Sequence, residues 1–352
     1  MTIVHVIEPF ASGVTTAVIN ITRAIPEFEH VVVHGSRTWV DSVENVRAKF
    51  PAGVSFVPWR HAQREIRPWQ DFLALWHLIT ILHRYPEAVI HLHSSKAGFL
   101  GRMAARFAGN PRVLYTPHCA AFIRTDISEK KRRMYKILER LAARFGGQIV
   151  GCGPSEAQLY RDIGIPADFV ANGTGPIDVE KREDADQVSF VAIANHQKNP
   201  ELFNQIAAAF EIQQVPFVWV GGGELENRLG ASNIDVTGWV GKREVEDYLS
   251  RCLVYLSTAE WEGLPYGVIE AMSASTALLL HDVPGNRDLV EAGVNGFLFQ
   301  DAEEAVAHLE QLLSERERTL EMGRESRRIY EENYRISQMG EKYRRIYRSM
   351  LS

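Results

Sequence analysis

The strongest constraint on this chain is a rhythm that runs, stops and starts again. Short apolar, β-rich runs fall at Ile3–Ile7, Val31–His34, Val54–Val57, Val89–His93, Val113–Thr116 and Ile149–Gly151. Most are separated by helix-length stretches such as Val14–Ala24, Trp69–His83, Ala97–Ala108 and Ser128–Phe145. Unbroken apolar runs mark strands covered on both faces, and helix-length spacers supply the crossovers that parallel strands need. After a hydrophilic stretch, Ala171–Gln187, the rhythm restarts at Val188–Ile193, Phe217–Val220, Val236, Leu253–Ser257 and Ala277–His281. The helical stretches there are Pro200–Ile212, Lys242–Arg251 and Leu264–Ser273, and a charged helical tail follows from Ala302. The pattern predicts an α/β chain of two doubly wound, Rossmann-like domains facing across a cleft. Their bounds are read as 1–170 and 188–334, with a linker at 171–187 and a final helix at 335–352. Ligands of such sheets sit beyond the carboxyl ends of the strands.

With 352 residues, 45% hydrophobic and 24% charged, the chain is neither disordered nor fibrous. Its longest apolar stretch, Phe72–Leu82, is interrupted by His77 and falls short of the roughly 18 residues that span a membrane. The opening MTIVHVIEPF lacks a basic flank and reads as a first strand rather than a signal peptide. Three cysteines, Cys119, Cys152 and Cys252, form no C-x-x-C pair and read as reduced, which predicts a cytoplasmic protein. Net charge is −5, but residues 1–178 hold 21 Lys and Arg against 15 Asp and Glu, whereas the rest holds 18 against 29. The first half is therefore expected to meet something anionic. Within it, Glu129–Phe145 carries seven basic and two acidic residues, with Met134, Leu138, Leu141 and Phe145 at helical spacing. That stripe is expected to pack on the sheet while the basic outer face of 128–144 meets an anionic membrane surface. No nucleic-acid partner is expected.

The segment richest in chemistry is STAEWEGLPYGVIEAMSAS, Ser257–Ser275. A buried strand ends in a loop with Glu260 and Glu262; Gly263, Leu264 and Pro265 follow, then a helix that carries Glu270. Free N–H groups at a helix start suit phosphate oxygens, but an E-x7-E spacing alone also fits any loop whose acids cap a helix. IANHQKNPELF places Asn195, His196 and Lys198 after the strand that opens the second half. VWVGGGELENRL has a glycine-rich turn that is neither a dinucleotide fingerprint nor a P-loop, and VTGWVG follows with Gly238 and Trp239. In the first half, Gly13 stands between the first strand and helix, and YTPHCAAF places His118 just after a strand end, as HLHSSKAG places His93.

EGLPYGVIEAM closely resembles the donor-site signature of the family 4 retaining glycosyltransferases, which have the two-domain GT-B fold, and the order of the other segments matches that family along nearly the whole chain. The resemblance implies that Glu270 holds the nucleotide ribose and that Glu262 faces the donor sugar, while N–H groups at Gly263 and Leu264 meet sugar or phosphate. It further implies Lys198 on the diphosphate, Gly238 and Trp239 at the base, His118 near the donor sugar and Gly13 facing the diphosphate, with Asn195 or His196 offsetting one departure. That departure is Ile193, which stands where the family carries a diphosphate-binding arginine. The implied reaction is a front-face displacement moving a sugar from a nucleotide-diphosphate-sugar donor, a UDP-sugar first, to a glycan acceptor. The N-terminal segments look like those of bacterial exopolysaccharide, capsule or O-antigen enzymes, which implies a lipid-linked acceptor and a place on the inner face of the membrane. The family also commonly returns its last helix to the first domain. No metal or other cofactor is expected, because the one D-x-D, Asp184–Asp186, lies in the hydrophilic stretch. Two alternatives share the architecture, a nucleotide-sugar epimerase or hydrolase and a non-enzymatic sugar-binding protein.

Overall fold

A computed structural model of the chain describes residues 1–37, 42–177, 179 and 181–351, so Asp178 and Glu180 of the expected linker and Ser352 of the expected final helix lie outside the described residues. The chain divides into two compact units: Met1–Ile123, Ile127–Gly173 and Ile336–Ser352 form one, Arg124–Asp126 and Thr174–Arg335 the other.

In the first unit the elements run β1 (Thr2–Pro9), α1 (Ser12–Ala24), β2 (Glu29–Arg37), α2 (Val43–Ala48), β3 (Ser55–Pro58), α3 (Pro68–Leu82), β4 (Val89–His93), α4 (Ser95–Phe107), β5 (Val113–Thr116), α5 (Glu129–Ala143), β6 (Gln148–Gly151), α6 (Pro154–Asp162) and β7 (Ala167–Phe169). The second unit holds β8 (Gln187–Val191), α7 (Pro200–Ala208), β9 (Phe217–Val220), β10 (Ile234–Val236), α8 (Lys242–Arg251), β11 (Cys252–Ser257), α9 (Tyr266–Ser273), β12 (Ala277–His281), β13 (Gly296–Phe299), α10 (Ala302–Ser314) and α11 (Arg316–Asn333). Helix α12 (Ile336–Ser349) belongs to the first unit.

Both sheets are parallel throughout, in the orders β3-β2-β1-β4-β5-β6-β7 and β10-β9-β8-β11-β12-β13. The doubly wound α/β reading is the observed fold. Each sheet reverses its winding once, between β1 and β4 and between β8 and β11, and at such a switch the loops beyond the carboxyl ends splay apart. One face of the first sheet is covered by α3, α4, α5 and α6, through residues such as Leu78, Leu100 and Tyr160. The other is covered by α1, α2 and α12, whose Met339, Tyr343 and Tyr347 pack on Ile3, Val89 and Leu114.

Two features differ from the sequence reading. Much of the stretch taken as a linker is packed: Ile177 and Ala185 are buried, and Lys181 donates to the carbonyls of Leu249 (2.8 Å) and Cys252 (2.7 Å) and to Thr276 Oγ1 (2.7 Å). Burial of that ammonium lowers its pKa to about 8. Helix α5 is also turned about its axis relative to the apolar stripe. Met134, Ile137 and Leu141 are exposed, whereas Tyr135, Glu139 and Ala142 face the sheet. The cause is Glu139, drawn inward by buried Arg102 (2.6 Å) and by the Tyr115 hydroxyl (3.0 Å). A buried guanidinium without its carboxylate would be far more costly than three exposed apolar side chains.

Candidate active site

Of the site residues expected in the second unit, Asn195, Lys198, Glu262, Gly263, Leu264 and Glu270 follow the two strands at which its winding reverses, whereas Gly238 and Trp239 follow β10. The loop after β8 and the loop after β11 are fastened together: Gln197 donates to the Trp261 carbonyl (2.8 Å), Asn199 Nδ2 to Glu260 Oε1 (2.6 Å), and Thr258 Oγ1 to the Lys198 carbonyl (2.7 Å). Asn199 takes the left-handed conformation (φ 48°) that asparagine tolerates, and its side chain caps α7 at the Leu202 N–H (3.1 Å). The result brings Lys198 Nζ into an ion pair with Glu262, a carboxylate that is itself buried. Asn195 joins them, its Oδ1 accepting from the Lys198 N–H (3.1 Å). Lysine and glutamate thus hold each other, and an anion at this loop would compete with Glu262 for the lysine.

Gly263 lies directly beneath Gly285, where a Cβ would sit 2.3 Å from the Gly263 carbonyl oxygen, so only glycine allows this approach. Leu264 is buried, and Pro265, which supplies no capping side chain, leads into α9. One turn into that helix stands Glu270. No hydrogen bond reaches its carboxylate among the described residues, and burial raises its pKa to about 7, opposed by Lys242 and reinforced by Glu246. The glycine-rich turn after β9 has a packing reason, because a Cβ at Gly221 (φ 140°) would meet the Ala192 carbonyl oxygen at 2.2 Å. Trp239 is not core: it is 51% exposed, and its indole nitrogen lies against Gly222. Gly238 adopts φ 65° with open space around it. Ile193 is half-buried and His196 exposed.

In the first unit, Gly13 sits exposed in the first turn of α1 rather than between strand and helix, and Ser12 before it has a positive φ (53°). His118 and Cys119 also have positive φ, 52° and 87°. The turn is pinned by Glu156, which is buried on α6 and accepts from the N–H groups of Cys119 (2.6 Å) and Cys152 (2.8 Å). His118 Nε2 lies 2.9 Å from His93 Nδ1. His93 is fully buried and Lys96 is paired with Asp71 (2.6 Å).

Nitrogens of His5, His91 and His93 lie within 4.8 Å of one another. The trio does not fit a metal ion, because its ring nitrogens are already engaged: His91 with Tyr347 (2.7 Å) and Thr116 (2.9 Å), and His5 with His93 and His30 (3.1 Å each).

The family model described as glycosyl transferases group 1 matches residues 176–329, and that of the glycosyl transferase 4-like domain matches 12–173. The chain belongs to this glycosyltransferase family. One relative is the Escherichia coli UDP-Gal:alpha-D-GlcNAc-diphosphoundecaprenol alpha-1,3-galactosyltransferase, 29% identical over 273 residues, 67% of this chain and 68% of that protein. Another is the Escherichia coli O-antigen biosynthesis glycosyltransferase WbnH, 25% identical over 86% of this chain and 94% of that one. Among solved structures, sucrose-phosphate synthase from Thermosynechococcus elongatus shares the fold with a TM-score of 0.83 at 16% identity, over 99% of both chains. Residues of this glycosyltransferase that sequence reasoning passed over are Gln197, Thr258 and Asn199, which fasten the loops, Gly285 against Gly263, and Glu156 under the His118 turn. Only Asn199 carried a signal, as a capping residue before Pro200.

Proposed function

We propose that this glycosyltransferase moves a hexose from a UDP-sugar, with retention of configuration, to a lipid-linked glycan in the assembly of a bacterial exopolysaccharide, capsule or O-antigen. The fastened loops after β8 and β11 carry the reading. They hold a lysine and a buried glutamate at the switch point, and Glu270 stands one turn into the following helix α9, its carboxylate without a hydrogen bond among the described residues. The name of the galactosyltransferase relative, which includes a UDP-sugar and a diphosphoundecaprenol acceptor, favours this donor and acceptor class.

In this reading Glu270 accepts from the ribose hydroxyls, and the Lys198 ammonium turns from Glu262 to the leaving diphosphate as charge develops there. Glu262 then accepts from the donor sugar and fixes its pose, while N–H groups at Gly263, Leu264 and Gly13 and the amide of Asn195 add donors for the phosphates. Gly238 and Trp239 meet the base, and His118 meets the sugar. Protein charges and helix N–H groups take the place of a metal.

A lipid-linked acceptor calls for a membrane-facing surface. The outer side of α5 offers Met134, Ile137 and Leu141 among Lys130, Lys131, Arg133, Arg140 and Arg144. On the same face of the sheet, α3 exposes Trp69 (71%), Phe72 and Trp76 (62%) at i, i+3 and i+7. Aromatic and basic side chains together suit an anionic lipid interface.

Product analysis tests the reading. A UDP-hexose and a diphosphate-lipid-linked sugar, incubated with the enzyme in chelator, should yield a glycoside whose anomeric NMR coupling matches that of the donor. An inverted product contradicts retention, and dependence on added manganese contradicts the metal-free site.

A further inference from the structure

Four histidines from four segments stand in a hydrogen-bonded file across the first sheet. His30 Nε2 lies 3.0 Å from the carbonyl oxygen of Ile25, and its Nδ1 lies 3.1 Å from His5 Nε2. His5 Nδ1 lies 3.1 Å from His93 Nε2, and His93 Nδ1 lies 2.9 Å from His118 Nε2. The first three rings are buried, and His118 is partly exposed.

A carbonyl oxygen only accepts, so His30 Nε2 carries the proton. A neutral imidazole has one N–H, so His30 Nδ1 must accept, and His5 Nε2 must donate to it. The same step passes along the file: His5 Nδ1 accepts from His93 Nε2–H, and His93 Nδ1 accepts from His118 Nε2–H. Running the file backwards would set a buried lone pair of His30 against the lone pairs of the carbonyl, at the cost of an unmade buried hydrogen bond. A cationic member would donate from both its nitrogens and reverse the file between itself and His118. Burial opposes that charge, lowering His30, holding His5 and His93 well below the ordinary histidine value and bringing His118 to about 3.

We propose that the Ile25 carbonyl, acting through His30, His5 and His93, locks His118 as its Nε2–H tautomer, so that His118 Nδ1 is a permanent hydrogen-bond acceptor. No partner for that nitrogen occurs among the described residues. The positive-φ turn pinned by Glu156 fixes where the ring sits, and the file fixes which of its atoms carries the proton. A sugar hydroxyl meeting this nitrogen must donate to it. His30, His5 and His93 are therefore positioning residues that act through His118. Their effect on turnover rests on the proposed contact of His118 with the donor sugar; the tautomer does not.

Nitrogen-15 NMR of the full chain labelled at histidine reads each ring's tautomer directly, with His118→Gln assigning the signal. At pH 7, His118 should be a single Nε2–H species. An Nδ1–H species, an averaged pair or a cation would overturn the proposal. His30→Leu removes the first donor, and should give a mixed His118 signal and at least a tenfold fall in kcat/KM. In His30→Gln the amide N–H donates to Ile25 and its carbonyl oxygen accepts from His5, so the wild-type signature should return. A His118 signal that stays mixed in folded His30→Gln would count against the file, and the wild-type spectrum decides the matter if His30→Leu does not fold. A fixed tautomer with unchanged kcat/KM in His118→Gln would instead overturn the contact with the sugar.

Discussion

At the residue scale, Glu270 shows how the site can be poised yet sensitive. Burial raises its carboxyl to about 7, and in the proposed binding mode only the ionised form accepts from two ribose hydroxyls. Binding therefore draws a proton off as pH falls below that value, and affinity for a UDP-sugar should drop by up to about tenfold per pH unit below 7. Lys242 favours the ionised form and Glu246 opposes it. Titration calorimetry from pH 8 to 5.5 reads the effect, and Glu270→Gln should bind weakly with a flat profile. A wild type that is equally flat would mean that the ionised Glu270 does not hold the ribose. The two glutamates were legible in the sequence only with their neighbours, since an E-x7-E spacing means little by itself. The Lys198–Glu262 pair was not legible, because both residues looked free to meet a ligand, and nothing local says that adjacent strands will aim them at each other. The histidine file was less visible still. Its members lie 25 and 88 positions from their hydrogen-bonding partners and meet only through strand order.

At the element scale, the lesson lies in α5. Periodicity chose Met134, Leu138, Leu141 and Phe145 as the buried stripe, and a single buried ion pair, Arg102–Glu139, turned the helix to another face. Hydrophobic spacing measures which face would rather leave water, and it cannot see a charge on a neighbouring helix that must be neutralised. The outcome places apolar and basic side chains together on the outside of α5, and this makes a prediction about membranes. Co-sedimentation should show binding to anionic vesicles, fading with salt. Changing Lys130, Lys131, Arg132 and Arg133 to Ser should abolish most of it, at about 1 kcal/mol per basic residue near the surface. Trp69→Ser with Trp76→Ser should weaken binding while leaving its salt dependence in place. Equal binding to neutral and anionic vesicles would refute the electrostatic part.

At the scale of the whole molecule, the two parallel sheets were readable because doubly wound strands are buried on both faces and leave an unbroken apolar imprint. The edge strands β7 and β13 escaped, the first a three-residue run broken by Asp168 and the second opening on Gly296. The buried histidines bear on stability as well. His5, His91 and His93 are fully buried with pKa values held well below 6.5, chiefly by loss of solvent. Below 6.5 the unfolded chain gains protons that the folded chain refuses, so this contribution is present above 6.5 and lost on acidification. Each such group removes on the order of 1.4 kcal/mol per pH unit in that window. Three together should lower Tm steeply between pH 6.5 and 5. A Tm that stays level through that range would show these rings to be protonated in the fold.

The central claim is that the second unit holds a nucleotide-sugar through the α9 carboxylate at the β8–β11 switch point. Calorimetry of a UDP-sugar with wild type and Glu270→Ala at pH 8, where Glu270 is ionised, tests it most directly. Each hydrogen bond to a charged acceptor contributes about 1.5–3 kcal/mol, so the variant should bind roughly ten- to a hundredfold more weakly or worse while keeping its fold. Unchanged affinity in the folded variant would contradict the account.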